Sequence, residues 1–204
     1  MTMSTPYESS GRTNQKTRTR NALVAAAREL MAEGVNPTVA QAADRALISQ
    51  ATGYRYFPNQ RALLVATNPE VDVESLLGPD APTEPEARLD ALVQALIDRI
   101  LASEPQLRTM LRLSLEPQPP QAEQLPLRRG RAIMWIEDGL SDVRGAISDA
   151  AFERLVLAIR ASVGIEALAW LTDVGGLSRA EAAEVMRWSA RSLLRAALAE
   201  AAER

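Results

Sequence analysis

Apolar residues return at steps of three and four along this chain, over Leu23, Ala26, Ala27, Leu30 and Met31 near the start and over Phe152, Leu155, Val156, Ile159, Val163, Ala167 and Trp170 further on. That spacing lines one face of an α-helix. The residues that fill it are helix formers: alanine and leucine are abundant, whereas only 4% of residues are aromatic, a type that strands favour. The expectation is an all-α fold. With 204 residues, 47% of them hydrophobic, the chain can bury a sizeable core, as one large helical domain or as a small domain joined to a larger one.

Caps and breakers set the layout. Residues 1–15 are expected to form a flexible polar tail, and a first helix should run from about Lys16 to Glu33 and stop at Gly34. Past Asn36-Pro37, Thr38 and Gln41 match a capping box that opens a short helix ending near Arg45. Ser49 can cap a third helix over Gln50 to Phe57, and Pro58-Asn59 ends it before a fourth from about Gln60 to Thr67. These four helices make a head over 16–67. Pro69, Gly78, Pro79, Pro82 and Pro85 then stand among acidic residues, which prevents continuous helix and marks a linker over 68–86. A helical body over 87–204 follows, with amphipathic runs at about 86–103 and 105–115 and a loop across Pro117, Pro119, Pro120 and Pro126. Helices are expected at about 127–147, 149–172 and 178–202, the last opened by a second capping box at Ser178 and Glu181 after Gly175-Gly176.

The chain contains no cysteine and no histidine. That removes disulfides, thiolate or imidazole metal sites, cysteine nucleophiles and histidine-based triads. Neither an enzyme nor a cofactor or metal site is expected, and the acidic residues Glu137, Asp138 and Asp142 fit a solvated helix face better than a metal site, because no other ligand chemistry surrounds them. No run approaches the roughly 20 uninterrupted apolar residues of a membrane span, and Met1 to Thr19 lacks the apolar segment of a signal peptide. A cytoplasmic protein without a membrane partner is the expectation.

The net charge of −3 conceals a split: residues 1–64 carry eight basic and four acidic side chains, residues 65–204 fifteen and twenty-two. A basic head on an acidic body suits a DNA-binding module with a separate partner domain, because only the surface facing phosphates needs positive charge. The spacing from Thr38 to Phe57 supplies two short helices joined by a tight turn, with Ala42 and Ala43 small where the helices approach and Ile48 apolar between them. Such a pair can present its second helix to a major groove.

The run Ser49-Gln50-Ala51-Thr52-Gly53-Tyr54-Arg55-Tyr56-Phe57-Pro58-Asn59-Gln60-Arg61-Ala62-Leu63-Leu64 resembles the recognition helix and following helix of the TetR family of bacterial transcriptional regulators, with the likeness concentrated in about residues 18–66. The resemblance implies that Gln50, Ala51, Thr52, Tyr54 and Arg55 sit in the groove while Thr38, Ser49, Tyr56 and Gln60 meet the sugar-phosphate backbone. Side-chain chemistry agrees: Gln50 can pair with adenine, Arg55 with guanine, and the Ala51 methyl can touch a thymine methyl, while Arg18 and Arg20 could neutralise phosphates. Three departures stand out. Leu47 occupies the turn position where the family usually has glycine, a placement that costs about 1–2 kcal/mol if the geometry is left-handed. Gly53 replaces a large apolar residue, and Gln60 a phosphate-binding lysine.

The resemblance further implies a homodimer whose last two helices pair with their copies, a palindromic operator in double-stranded DNA and a small-molecule effector, most simply as a repressor. Ile159, Val163, Ala167, Met186, Ala190, Leu193, Leu194 and Ala197 are candidates for the dimer interface, or else for packing within the protomer. Met110, Leu113, Trp135, Phe152 and Trp170 are the large groups available to line an effector pocket, with Arg112 or Glu137 as a polar contact. Arg187, Arg191 and Arg195 form a basic row along the last helix. The competing reading is a helical ligand-binding or interaction protein whose head no longer binds DNA.

Overall fold

The computed structural model describes residues 6–67, 74–116 and 131–203, with side chains from Asn14 onward in the first stretch. These residues are all-α, with no strand among them. The helices are α1 (Pro6–Ala32), α2 (Val39–Arg45), α3 (Gln50–Tyr56), α4 (Gln60–Ala66), α5 (Pro85–Ala102), α6 (Glu104–Leu115), α7 (Arg131–Gly139), α8 (Asp149–Ser162), α9 (Ile165–Ala169) and α10 (Arg179–Ala202). Two compact units form, one drawn from Met1–Pro69 and Arg112–Leu127 and the other from Glu70–Leu111 and Arg128–Arg204.

Most helix starts follow from local chemistry. Thr38, Ser49, Asn59, Ser148 and Ser178 each accept a backbone N–H from the first turn of the helix they precede, and both capping boxes form, Thr38 with Gln41 and Ser178 with Glu181. Glu84 caps α5, with Pro85 at the first helical position. The first helix begins at Pro6, so residues 6–15, expected as a flexible tail, are helical; this segment has no apolar stripe from which a helix could be read. The expected proline-rich loop over 117–126 and the start of the linker, 68–73, lie outside the described residues.

Two expected long helices are shorter. The helix expected over 127–147 ends at Gly139, where a Cβ would meet Leu92 Cδ2 at 2.4 Å, so only glycine lets α7 approach α5 this closely. A short 3-10 turn, Ser141–Val143, follows. The helix expected over 149–172 breaks at Val163 and Gly164, both extended, before α9 runs into a π-helical turn over Trp170–Val174. Arg160 and Glu166 pair at 3.3 Å across that break, filling the space a Cβ on Gly164 would need. By length and composition 149–174 would match a membrane-spanning helix, with a mean hydropathy of 1.6 over its most apolar window, 39% of which is buried inside the unit. The sequence reading required an uninterrupted apolar run, and Glu153, Arg154, Arg160 and Glu166 interrupt this one.

The first unit buries Leu23, Val24, Ala27, Val39, Ala42, Ala43, Phe57 and Leu63 together. The second packs α5, α7, α8 and α10 around Leu92, Ile97, Ile136, Phe152, Ile159 and Met186. The basic row of α10 pairs with α5: Asp90 accepts from both Arg187 and Arg191, which are largely covered, and Glu86 accepts from Arg195, which stays exposed. The hydrogen bond from Arg187 outweighs burial and holds the Asp90 carboxyl below its ordinary range, and Arg195 does the same for Glu86. At the other end of the unit, Glu104, with only 8% of its side chain exposed, pairs with Arg108 at 2.8 Å and with Arg179 at 2.7 Å, while Arg108 also reaches Asp173 at 2.6 Å and Thr172 at 3.0 Å. Burial pushes the Glu104 carboxyl up, but hydrogen bonds from Arg179 and Arg108 prevail and hold it below the usual value.

Candidate nucleic-acid interface

Two seven-residue helices meet at this site through a four-residue turn. The turn is a Schellman motif: Leu47 N–H donates to the Asp44 carbonyl at 3.1 Å and Ile48 N–H to the Ala43 carbonyl at 2.9 Å. Closing both bonds requires a left-handed residue between them, and Leu47 takes it, at φ 56°. The expected strain at this position is therefore present, about 1–2 kcal/mol for an L-residue. Ile48 folds back onto the first unit's core while Leu47 points outward, 95% exposed.

Gly53 explains how the two helices fit. A Cβ there would stand 3.1 Å from Ala43 Cβ and 3.3 Å from Val39 Cγ1, tighter than nearly all real contacts. At the position where the family usually has a large apolar residue, α2 and α3 thus approach closely enough that even a Cβ would press on Ala43 and Val39. On the other side, α2 is tied to α1 by Arg45, which pairs with Glu33 at 2.8 Å and lies 3.6 Å from Glu29. The hydrogen bond from Arg45 keeps the Glu33 carboxyl below its usual range. Arg28 braces α1 against α4 by donating to the buried Thr67 carbonyl at 2.8 Å.

With its glycine face buried, α3 turns Gln50, Ala51, Tyr54 and Arg55 outward. Tyr54 is 48% exposed. Arg55 lies 5.8 Å from the Tyr56 ring, and Arg20 of α1 lies 5.6 Å from the Phe57 ring, so two guanidinium groups flank the end of the helix. Arg18 is exposed on the same helix as Arg20. Phe57 is core, and Tyr56 is half-buried against it.

Several residues assigned to DNA already serve the fold. Thr38 donates its hydroxyl to Gln41 at 3.0 Å within its capping box. Ser49 accepts from the Thr52 N–H at 3.3 Å and donates to the Thr52 hydroxyl at 3.0 Å. The Gln60 amide donates to the Asn36 and Pro37 carbonyls at 3.3 and 3.2 Å, pinning the joint before α2. Gln50 donates to both Asp44 carboxylate oxygens, at 3.2 and 3.3 Å. Sequence reasoning missed Asp44, whose spacing of six from Gln50 only becomes proximity once the turn closes. Asp44→Asn removes a negative charge from this surface and loosens its hold on Gln50, so any affinity of this surface for duplex DNA is expected to rise several-fold. Titration of labelled duplex checks this, and an unchanged or weaker affinity would refute the inhibitory role.

Elsewhere the structure separates the expected residues. Met110, Leu113, Trp135 and Phe152 are buried, while Trp170 is 61% exposed. Neither described cavity uses any of the five: one groove is lined by Gly145, Ile147, Ala151, Ala197 and Ala201 among others, and a larger open one of about 610 Å³ by Gln94, Ile97, Leu101, Arg179, Ala183 and Glu184 among others. Of the dimer candidates, Ile159, Val163, Met186, Ala190, Leu194 and Ala197 are buried in the second unit's own core, and Ala167 and Leu193 are half-buried against it. Their apolar stripe is the one that meets α5 and α7, which leaves the opposite sides of α8 and α10 exposed at Leu157, Val185 and Trp188. Comparison with protein-family models, with curated proteins and with solved structures gives no match to this chain.

Proposed function

We propose that this chain is a DNA-binding transcriptional regulator, resembling the TetR family, that docks α3 in the major groove as a homodimer on a palindromic operator. The observation that carries the reading is the two-sided character of α3. Its inner face is pinned at Gly53, which fixes the helix on a rigid support, and its outer face offers Ala51, Tyr54 and Arg55 with Gln50 beside them. That set combines a guanine reader, an adenine reader and two apolar groups within one helix that a major groove accommodates. The net positive charge of residues 1–64 supports it, since phosphate attraction supplies most of the affinity for any duplex.

Dimerisation supplies the second half-site. Leu157 on α8 and Val185 and the 64%-exposed Trp188 on α10 are exposed large apolar side chains, on two helices joined by Arg154 and Glu200 at 2.5 Å. Tryptophan in an exposed position is the residue type that interfaces enrich. Leu157→Glu with Trp188→Glu is expected to leave a folded monomer that binds a single half-site at least tenfold more weakly. Sedimentation and operator titration would show it, and a double variant that remains dimeric would place the interface elsewhere. A small-molecule effector remains part of the proposal, acting by altering the spacing of the two heads.

The decisive test is selection from random duplex DNA at moderate salt. An enriched inverted repeat with half-sites about 34 Å apart supports the regulator. No enrichment would instead favour a helical ligand-binding protein whose head does not read DNA, a reading that the internal hydrogen bonds of Gln50 and Gln60 would then support.

A further inference from the structure

Three left-handed residues close helix ends among the described residues: Gly34 at φ 80°, Gly176 at φ 70° and Leu47 at φ 56°. Gly34 and Leu47 sit in the same hydrogen-bonded arrangement, with the following N–H reaching back five residues, Val35 to Leu30 and Ile48 to Ala43, while Gly176 closes a π-helical turn through a six-residue bond from Leu177 to Leu171. Glycine takes this geometry without steric cost. The chain uses glycine twice and a leucine once, and the leucine lies between α2 and α3.

Nothing within the fold offsets the strain. Leu47 is 95% exposed, more than any other large apolar residue described, so its side chain adds almost no packing of its own. A strained, uncovered side chain is informative when its place is functional, because the fold alone would be better served by glycine. Its place is the turn that launches α3. Leu47 N–H bonds to the carbonyl of Asp44, the residue whose carboxylate holds Gln50, and exposed Ala51 and Tyr54 follow one turn on.

We infer that Leu47 is an apolar contact of the DNA surface, its isobutyl group packing on apolar DNA carbons, thymine methyls or deoxyribose, beside the bases that α3 reads. This rests on the regulator reading. The apolar contact replaces no phosphate contact, so it contributes affinity without counterion release. It also gives the turn a role that the family resemblance, with glycine at this position, does not supply.

The test uses the full-length chain and the operator recovered by selection. Leu47→Gly and Leu47→Asn both tolerate the left-handed geometry, so both are expected to fold with a melting temperature equal to or above that of the unaltered chain. Both should bind the operator about tenfold more weakly, the scale expected for uncovering most of a leucine side chain, with the dependence of log Kd on log salt unchanged. Leu47→Met keeps an apolar group there and should retain most of the affinity. Replacing each half-site thymine by deoxyuridine identifies the partner: the penalty of Leu47→Asn disappears if the contact is a thymine methyl and persists if it is sugar. Equal affinity of Leu47→Asn and the unaltered chain overturns the inference while leaving the regulator intact, as does a loss accompanied by a reduced salt slope. An unaltered chain that selects no duplex overturns both.

Discussion

Gln50→Ala combined with Arg55→Ala is expected to weaken operator binding at least about 100-fold while leaving the fold in place. Each side chain is exposed on α3 and can make a paired hydrogen bond to one base, worth about 1–3 kcal/mol of discrimination. In a dimer every loss is incurred twice. The two contributions differ in kind. Gln50 must first release Asp44, so part of its gain is offset, and Gln50→Ala alone should cost less than Arg55→Ala. Arg55 carries charge as well as base recognition, so only its loss should reduce the salt slope. Anisotropy titrations on the selected operator and on a scrambled duplex separate these effects. A double variant that still prefers the operator over the scrambled duplex as strongly as before would rule out α3 as the reading helix.

The largest effect on stability is expected at Glu104. Its carboxylate is nearly buried and is shared by Arg108 and Arg179, so Glu104→Ala leaves two guanidinium groups without their common partner next to an apolar helix junction. Removing one member of such a cluster costs about 3 kcal/mol or more. Arg179 is largely exposed and recovers part of its hydration, which places the expected loss at the lower end. All three tryptophans, Trp135, Trp170 and Trp188, lie in the second unit, so their fluorescence follows its unfolding selectively.

Acid should reveal the same cluster. Glu104 and Asp90 are both held below their ordinary values of 4.5 and 3.8. A carboxyl lowered in the folded state stabilises fully above its unfolded value and loses that contribution as pH falls through the lowered one. The unit should therefore hold its urea midpoint from neutral pH down to about pH 5 and lose it steeply below about pH 4. Glu104→Ala, already lacking one of these groups, should show a shallower decline. A decline identical to that of the unaltered chain would mean that Glu104 is not coupled to folding.

The head was the most legible part of the sequence. Thr38 with Gln41 and Ser178 with Glu181 announce their helices because a capping box is local, complete within four residues. Leu47 was legible as a conflict between residue and turn, and the conflict is realised at φ 56°. Gly53 was not, since its meaning depends on Ala43 and Val39 across a helix pair, and that distance is absent from any local pattern. The body shows the same limit. A stripe such as Ile159, Val163, Met186, Ala190 and Leu194 states that a helix face is covered without saying by what, and here its cover is the unit's own α5 and α7. The close packing at Gly139 and Gly164 escaped for the same reason, since it involves Leu92 on another helix and the Arg160–Glu166 pair.

The pairing of α5 with α10 has one more consequence. Alanine recurs so often along α10 that its apolar stripe would look much the same after sliding one turn, about 5.4 Å, past its neighbours. The carboxylates do not share that indifference. Glu86 and Asp90 are four residues apart, as are Arg187, Arg191 and Arg195, so a one-turn slip that carries Arg195 past Glu86 brings Arg191 to Glu86 and keeps Arg187 at Asp90 at the loss of the Arg195 contact, whereas the opposite slip brings Arg195 to Asp90 and leaves Glu86 without a guanidinium. The polar seam thus favours one axial register, by the contact that each slip loses, for a helix whose hydrophobic face alone would accept several.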